Sequence, residues 1–149
     1  MDKKDKKIQD VIKTVGWYVF KVFDEKGQLP DFAYSVGAFY SYQQPEIIIY
    51  GLDLDDMHNI INDIVGAMKD GKKIRVNKPY DDFLVNYDCL FRRVRKKHYR
   101  EHFGYGRWFY QGNNFPALQC FWPDANGVYP WQEGCAQYVI DCQPLLFHP

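Results

Sequence analysis

Two overlapping stretches of this chain carry residue types that do chemistry. The first is Arg92-Arg93-Val94-Arg95-Lys96-Lys97-His98-Tyr99-Arg100, which places six formal positive charges in nine residues, with Arg107 just beyond. Phe91, Tyr99, Tyr105, Trp108 and Tyr110 interleave with it. Guanidinium forks bind phosphate through paired hydrogen bonds, and aromatic faces stack nucleobases. The combination predicts a site for a small anionic or nucleotide-like ligand. It also suits single-stranded nucleic acid, but a formal net charge of zero counts against that partner. The simpler alternative is a solvated strand end neutralised by acids such as Asp53, Asp55, Asp56, Asp81 and Asp82.

The second stretch is His98-Tyr99-Arg100-Glu101-His102, an H-x-x-E-H pattern. Four-residue spacing on a helix lets two imidazoles share a zinc ion, with the glutamate as base. Gly104 and Gly106 cut such a helix short, and the surrounding positive charge repels a cation. His98 and His102 are therefore named as metal candidates, while the expectation is that no metal is held.

A third group lies where strands are predicted to end. Tyr34, Ser35, Gly37 and Glu46 stand near one set of strand ends, and Trp122, Asp124, Pro130 and Trp131 near a turn. Gly37 would let the backbone approach a ligand closely. The alternative is architectural, with a glycine at a bend and Pro-Trp as a packing plug. No GxSxG, Walker A or GxGxxG motif occurs, so no nucleophile or cofactor is assigned. The four cysteines, Cys89, Cys120, Cys135 and Cys142, form no CxxC pair and read as reduced, mostly buried thiols.

The elements that must position these residues follow from periodicity. Ile8, Val11, Ile12 and Val15 recur at helical spacing and predict a short amphipathic helix from Lys4 to about Thr14, stopped by Gly16, with fraying expected within the charged residues 2–7. Trp17–Phe23, Phe32–Val36 and Glu46–Tyr50 predict strands whose connections are too short for helical crossovers, hence antiparallel pairing. Leu54, Met57, Ile60, Ile61, Ile64, Val65 and Met68 form the apolar stripe of one long helix, over about 54–70. A long strand is predicted over Phe83–Arg95, then a short helix at Tyr99–Phe103, a Gly-rich turn, and a strand over Ala117–Trp122. The partly apolar tail is expected to close the core. At 149 residues this is one α+β domain, a mainly antiparallel sheet or partly open barrel with one long helix and short flanking helices. Twelve Tyr, 11 Phe and 4 Trp are an unusual supply of rings, best read as a bulky core, with a stacking pocket or homo-oligomer interface as alternatives. No apolar run approaches the roughly 20 residues that span a bilayer. The start is charged and lacks an apolar signal region, so no membrane partner and a cytoplasmic location are expected.

Several of these pieces, in order, resemble the family catalogued as domain of unknown function 4262 (DUF4262). They are Gly16-Trp17, Pro30-Asp31-Phe32-Ala33-Tyr34-Ser35-Val36-Gly37, Gln44-Pro45-Glu46 and Gly51-Leu52, then Leu118-Gln119, Trp122-Pro123-Asp124, Gly127, Pro130-Trp131 and Gln143-Pro144-Leu145. Ser35 stands where the family usually has threonine, Gln44 where it has histidine, and Ala38 where leucine is common. The resemblance implies a fold and carries no activity. The residues themselves point to a non-catalytic domain that senses or sequesters a small anionic or nucleotide-derived ligand. Its candidate contacts are Tyr34, Ser35, Gly37, Arg92, Arg93, Arg95, Arg100, Tyr105, Arg107, Trp108, Trp122 and Trp131. Two other classes stay open: a flavin- or nucleotide-dependent enzyme, and a protein-interaction module of immunity or anti-defence type.

Overall fold

A computed structural model describes residues 2–149. The first element is α1 (Lys3–Val15), the amphipathic helix that the apolar spacing predicts, with the charged residues ahead of Ile8 helical as well. Asp2 accepts the amide of Asp5 and caps this helix, satisfying an amide that has no partner within the helix. The strands β1 (Tyr18–Val22) and β2 (Phe32–Val36) pair antiparallel, and β2 pairs antiparallel with β3 (Glu46–Tyr50). Between β2 and β3 sits a five-residue helix, α2 (Ala38–Tyr42), which no apolar periodicity announces. The long helix α3 (Leu54–Lys69) forms as its stripe predicts. Asp53 caps it, accepting the amides of Asp55 and Asp56 at 3.0 and 3.2 Å.

The predicted strand over 83–95 shrinks to β4 (Leu90–Arg93). Asn86 adopts a left-handed conformation at φ 68°, which breaks the extended run. Upstream of β4 only an isolated bridge, Tyr80 to Cys89, remains. After β4 come a 3-10 turn (Lys96–His98), α4 (Tyr99–His102) and α5 (Gly104–Tyr110). The last of these is a helix where a Gly-rich turn was expected. Tertiary packing overrides glycine's weak helix propensity, with Gly106 set against the Phe115 ring. Then β5 (Ala117–Phe121) and α6 (Gln137–Cys142) complete the chain.

The sheet order is β1-β2-β3-β5-β4. It is open, with β1 and β4 at its edges, so the sheet form of the expected fold holds and the barrel form does not. The β3–β5 pairing is parallel and the other three are antiparallel, making the sheet mixed. Every residue of β2, β3 and β5 is buried, because both faces are covered. Ala33, Ile47, Ile49, Leu118 and Cys120 pack with α3. Phe32, Tyr34, Val36, Ile48 and Tyr50 pack with Ile8, Ile12, Tyr99 and Phe103 on the other side. The aromatic excess goes largely into this second layer. Phe32 stacks on Tyr50 at 4.7 Å, Tyr34 on Phe20 at 5.2 Å, and Tyr99 on Phe115 at 4.7 Å between ring centroids. The tail closes the core as expected, with Leu146 and Gln143 buried. Among the described residues, no helix is long and apolar enough to cross a membrane.

Candidate functional site

The basic run leaves the sheet at the end of β4. The Val94 amide donates to the Ala117 carbonyl and the Arg95 amide to the Leu146 carbonyl, both at 2.9 Å. Those two bonds hold Val94 and Tyr99 in the core while Arg93, Arg95 and Lys96 point into solvent. Beside them lies an open groove of about 840 Å3, a volume within the ordinary range for small-ligand sites. Arg92, Arg93, Arg95 and Lys96 line it, together with the rings of Phe39, Phe115 and Phe147 and the amides of Asn77 and Asn114.

These cations have no internal counter-charge. Ion pairs among the described residues are Lys21–Asp55, Lys72–Asp82 and Glu101–His102. The alternative of a solvated strand end neutralised by Asp53, Asp55 and Asp82 is met in its exposure but not in its ion pairing. Asp53 is spent on the α3 cap, Asp55 on Lys21 and Asp82 on Lys72. Lys72 holds the Asp82 carboxyl below its ordinary range. Neither Asp56 nor Asp81 pairs with a cation.

Arg92 is held differently from its neighbours. Its guanidinium carbon lies 3.8 Å from the Phe147 ring centroid and 5.2 Å from that of Trp131. Trp131 stacks on Tyr129 at 5.4 Å and meets Phe121 edge-on at 4.9 Å. Arg92 and Trp131, named from sequence in separate groups, thus lie together, Arg92 lining the groove and Trp131 standing outside it.

Beneath the aromatic wall sits a fully buried carboxylate, Glu46. Its Oε1 accepts the Ser35 hydroxyl at 2.8 Å and the Ala38 amide at 3.1 Å. Its Oε2 accepts the amides of Gly37 and Phe39, at 2.9 and 3.2 Å, and the Tyr110 hydroxyl. Burial pushes the Glu46 pKa up, and the Tyr110, Gly37, Ser35 and Phe39 donors oppose that shift. The three amides among these donors can only donate, whereas the Ser35 and Tyr110 hydroxyls can also accept, so it is the Gly37, Ala38 and Phe39 amides that favour the ionised carboxylate. This network explains why α2 forms: its first amides are bound by a side chain from β3. It also fixes the groove wall, since Phe39 lies on α2 and Tyr110 stacks on Phe115 at 4.8 Å.

Ser35 and Gly37 are therefore brought under the groove and not into it. Gly37 has φ 127°, and a Cβ there would lie 2.4 Å from the Gly16 carbonyl oxygen and 2.6 Å from Trp17 Cα. The close approach predicted for Gly37 is thus made to its own chain. Tyr34 is buried, its hydroxyl accepts the Tyr105 amide at 3.0 Å, and burial pushes its pKa up to about 12. Tyr105 donates its hydroxyl to the Asp5 carbonyl at 3.2 Å and packs on Trp108. Arg107 bonds Asn113 at 2.8 Å, and Arg100 is exposed. Trp122 is buried and donates its indole N–H to the Tyr50 carbonyl at 2.7 Å. None of Tyr34, Arg100, Tyr105, Arg107, Trp108 or Trp122 lines the groove. Phe39, Asn77, Asn114, Phe115 and Phe147, which do, were not singled out from sequence. They come from four separate segments, and no local spacing links them.

The histidine pair is likewise engaged within the protein. His102 is buried, with Nδ1 hydrogen-bonded to the Tyr50 hydroxyl and Nε2 3.9 Å from Glu101. His98 Nε2 donates to the His148 carbonyl at 2.7 Å. Desolvation lowers the His102 pKa, and Glu101 partly opposes it. Among the described residues, no three His, Cys, Asp or Glu side chains are grouped to hold a metal ion.

Comparison with known proteins gives one match. The sequence model of the family described as "Domain of unknown function (DUF4262)" covers residues 11–136, most of the chain. No curated protein and no solved structure matches.

Proposed function

The chain belongs to the DUF4262 family, a family of unknown function, and we propose that it is a binding domain for a small anionic, nucleotide-derived ligand. The observation that supports this most directly is the groove at the end of β4. Four cationic side chains line it and no carboxylate pairs with them. Unpaired guanidinium groups beside a concavity favour an anion from outside the chain. Phe39 and Phe147, both half-buried, offer apolar surface for a base or similar ring. The role is to sense or sequester the ligand. No activated nucleophile stands at the groove, and the buried Glu46 has its lone pairs occupied by protein donors.

Thermal unfolding in the presence of AMP, ADP, ATP, cyclic nucleotides and pyrophosphate tests the reading. A ligand at a hundred times its Kd stabilises by about 2.7 kcal/mol, or roughly 5–10 °C for a domain of this size. Arg93→Glu/Arg95→Glu should abolish the shift, and Arg100→Glu, outside the groove, should leave it. The proposal fails if no member of the panel shifts the transition at millimolar concentration. It fails equally if the double charge reversal leaves the shift intact.

A further inference from the structure

A second cavity has the opposite charge character. It lies between α3 and the irregular segment that replaces the predicted strand, with a volume of about 570 Å3. Its walls are apolar and come largely from Ile60, Leu84, Val85, Trp122 and Tyr138. Val85 is 82% exposed and Tyr138 59% exposed, so this apolar surface is left open to water. The rim is acidic. Asp56 and Asp63 stand seven residues apart on α3, with Asn59 between them on the same face. No cationic side chain lines the cavity, and neither carboxylate belongs to an ion pair among the described residues.

We infer that this cavity is a second binding site, for an organic cation that carries an amine on a ring-sized apolar body. Mostly apolar walls with a few polar groups at the edge are the usual make-up of a small-molecule site. The apolar body gains by leaving water. The ammonium stays at the rim, where it meets Asp56 or Asp63 without being fully desolvated. An anion of the same shape faces two uncompensated carboxylates and is excluded. The inference does not rest on the proposed anion groove, whose cations are on other residues.

Tryptamine is a suitable probe, and indole-3-propionate carries a similar ring with the opposite charge. Titrations of 15N-labelled protein followed by NMR should show tryptamine shifting the amides of Asn59, Ile60, Asp63, Leu84 and Val85. Indole-3-propionate should bind at least about tenfold more weakly, the effect of roughly 1.4 kcal/mol. Asp56→Asn/Asp63→Asn should weaken tryptamine by about the same factor, the scale of one charged hydrogen bond. Both side chains are exposed, and only Asp56 lies in the first turn of α3, so that variant should fold and melt slightly below the parent. Equal binding of cation and anion overturns the inference, as does an unchanged affinity in the double variant. So does the absence of shifts at the cavity with millimolar tryptamine. Sedimentation over a range of concentrations adds a further check: self-association that covers Val85 and Tyr138 would make a second copy the occupant and overturn it too.

Discussion

The Ser35 hydroxyl donates to the Glu46 carboxylate at 2.8 Å, from β2 to β3, with both side chains fully buried. The same hydroxyl oxygen accepts the Ile47 amide at 3.0 Å. One serine thus ties two strands together and orients a carboxylate that binds the start of α2. A threonine at this position would have the same hydroxyl and could make both bonds. The pairing is the physical content of the Tyr-Ser-hydrophobe-Gly and Pro-Glu segments, and its stability consequences can be measured.

Glu46→Gln replaces an acceptor-only group by an amide whose NH2 faces donors. At least two buried donors then lose their partner, at a cost of about 3 kcal/mol in total. A melting temperature lower by roughly 6–12 °C at neutral pH is expected. A variant that melts with the parent would mean that Glu46 is protonated in the fold, because only then is the amide an adequate substitute.

Gly37→Ala meets two obstacles, the positive φ of 127° and a contact of 2.4 Å with the Gly16 carbonyl oxygen. Alanine at such a φ is strained, and the backbone it would strike cannot swing aside. A loss of about 3 kcal/mol is expected. Gly27→Ala is the control. It also has a positive φ, 66°, but nothing lies within 4 Å, so about 1 kcal/mol should be lost. Chemical denaturation of the two variants separates strain from collision.

These residues show what could be read in advance. The α3 stripe, four of the five strands and the antiparallel pairing of β1, β2 and β3 follow from local periodicity and short connections, which survive in any context. The helix α2 does not, because its stability comes from Glu46, whose role is visible only after β2 and β3 pair. The strand predicted over 83–95 was apolar enough, but Asn86 turns the chain and Val85 and Tyr87 remain exposed. In the basic run, charge density located the groove but not its limits. Arg92, Arg93 and Arg95 reach it, whereas Arg100 and Arg107 are carried away by the turn into α4 and α5. The aromatic wall came from Phe39, Phe115 and Phe147, far apart in the chain, and only the fold brings them together.

Arg92 and Arg93 are neighbours with different tasks, and substitution should separate them. Arg92→Lys keeps the charge but loses the flat guanidinium against Phe147 and Trp131. Such contacts contribute about 0.5–1 kcal/mol, rising toward 2 where water is excluded. Stability should therefore fall by about 1 kcal/mol. Arg93→Lys, with no ring contact among the cation–ring pairs of the structure, should leave stability unchanged within a few tenths of a kcal/mol. Equal losses in urea denaturation would show that the stacking geometry at Arg92 does not contribute.

The buried contact between His102 and Tyr50 predicts an acid-sensitive fold. Desolvation lowers the His102 pKa, so the unfolded chain binds this proton more readily than the folded one. His102 therefore adds a stability that is complete above the unfolded histidine value of about 6.5. That stability is lost as pH falls from there through the lowered folded value. Unfolding free energy measured by denaturant from pH 8 downward should be flat at first and then decline. His102→Gln keeps a polar partner for the Tyr50 hydroxyl but cannot be protonated in this range. It should reduce the slope below pH 6.5 by up to one proton's worth, about 1.4 kcal/mol per pH unit. Should the variant and the parent lose stability in parallel, the sensitivity belongs to other groups and His102 is not its source.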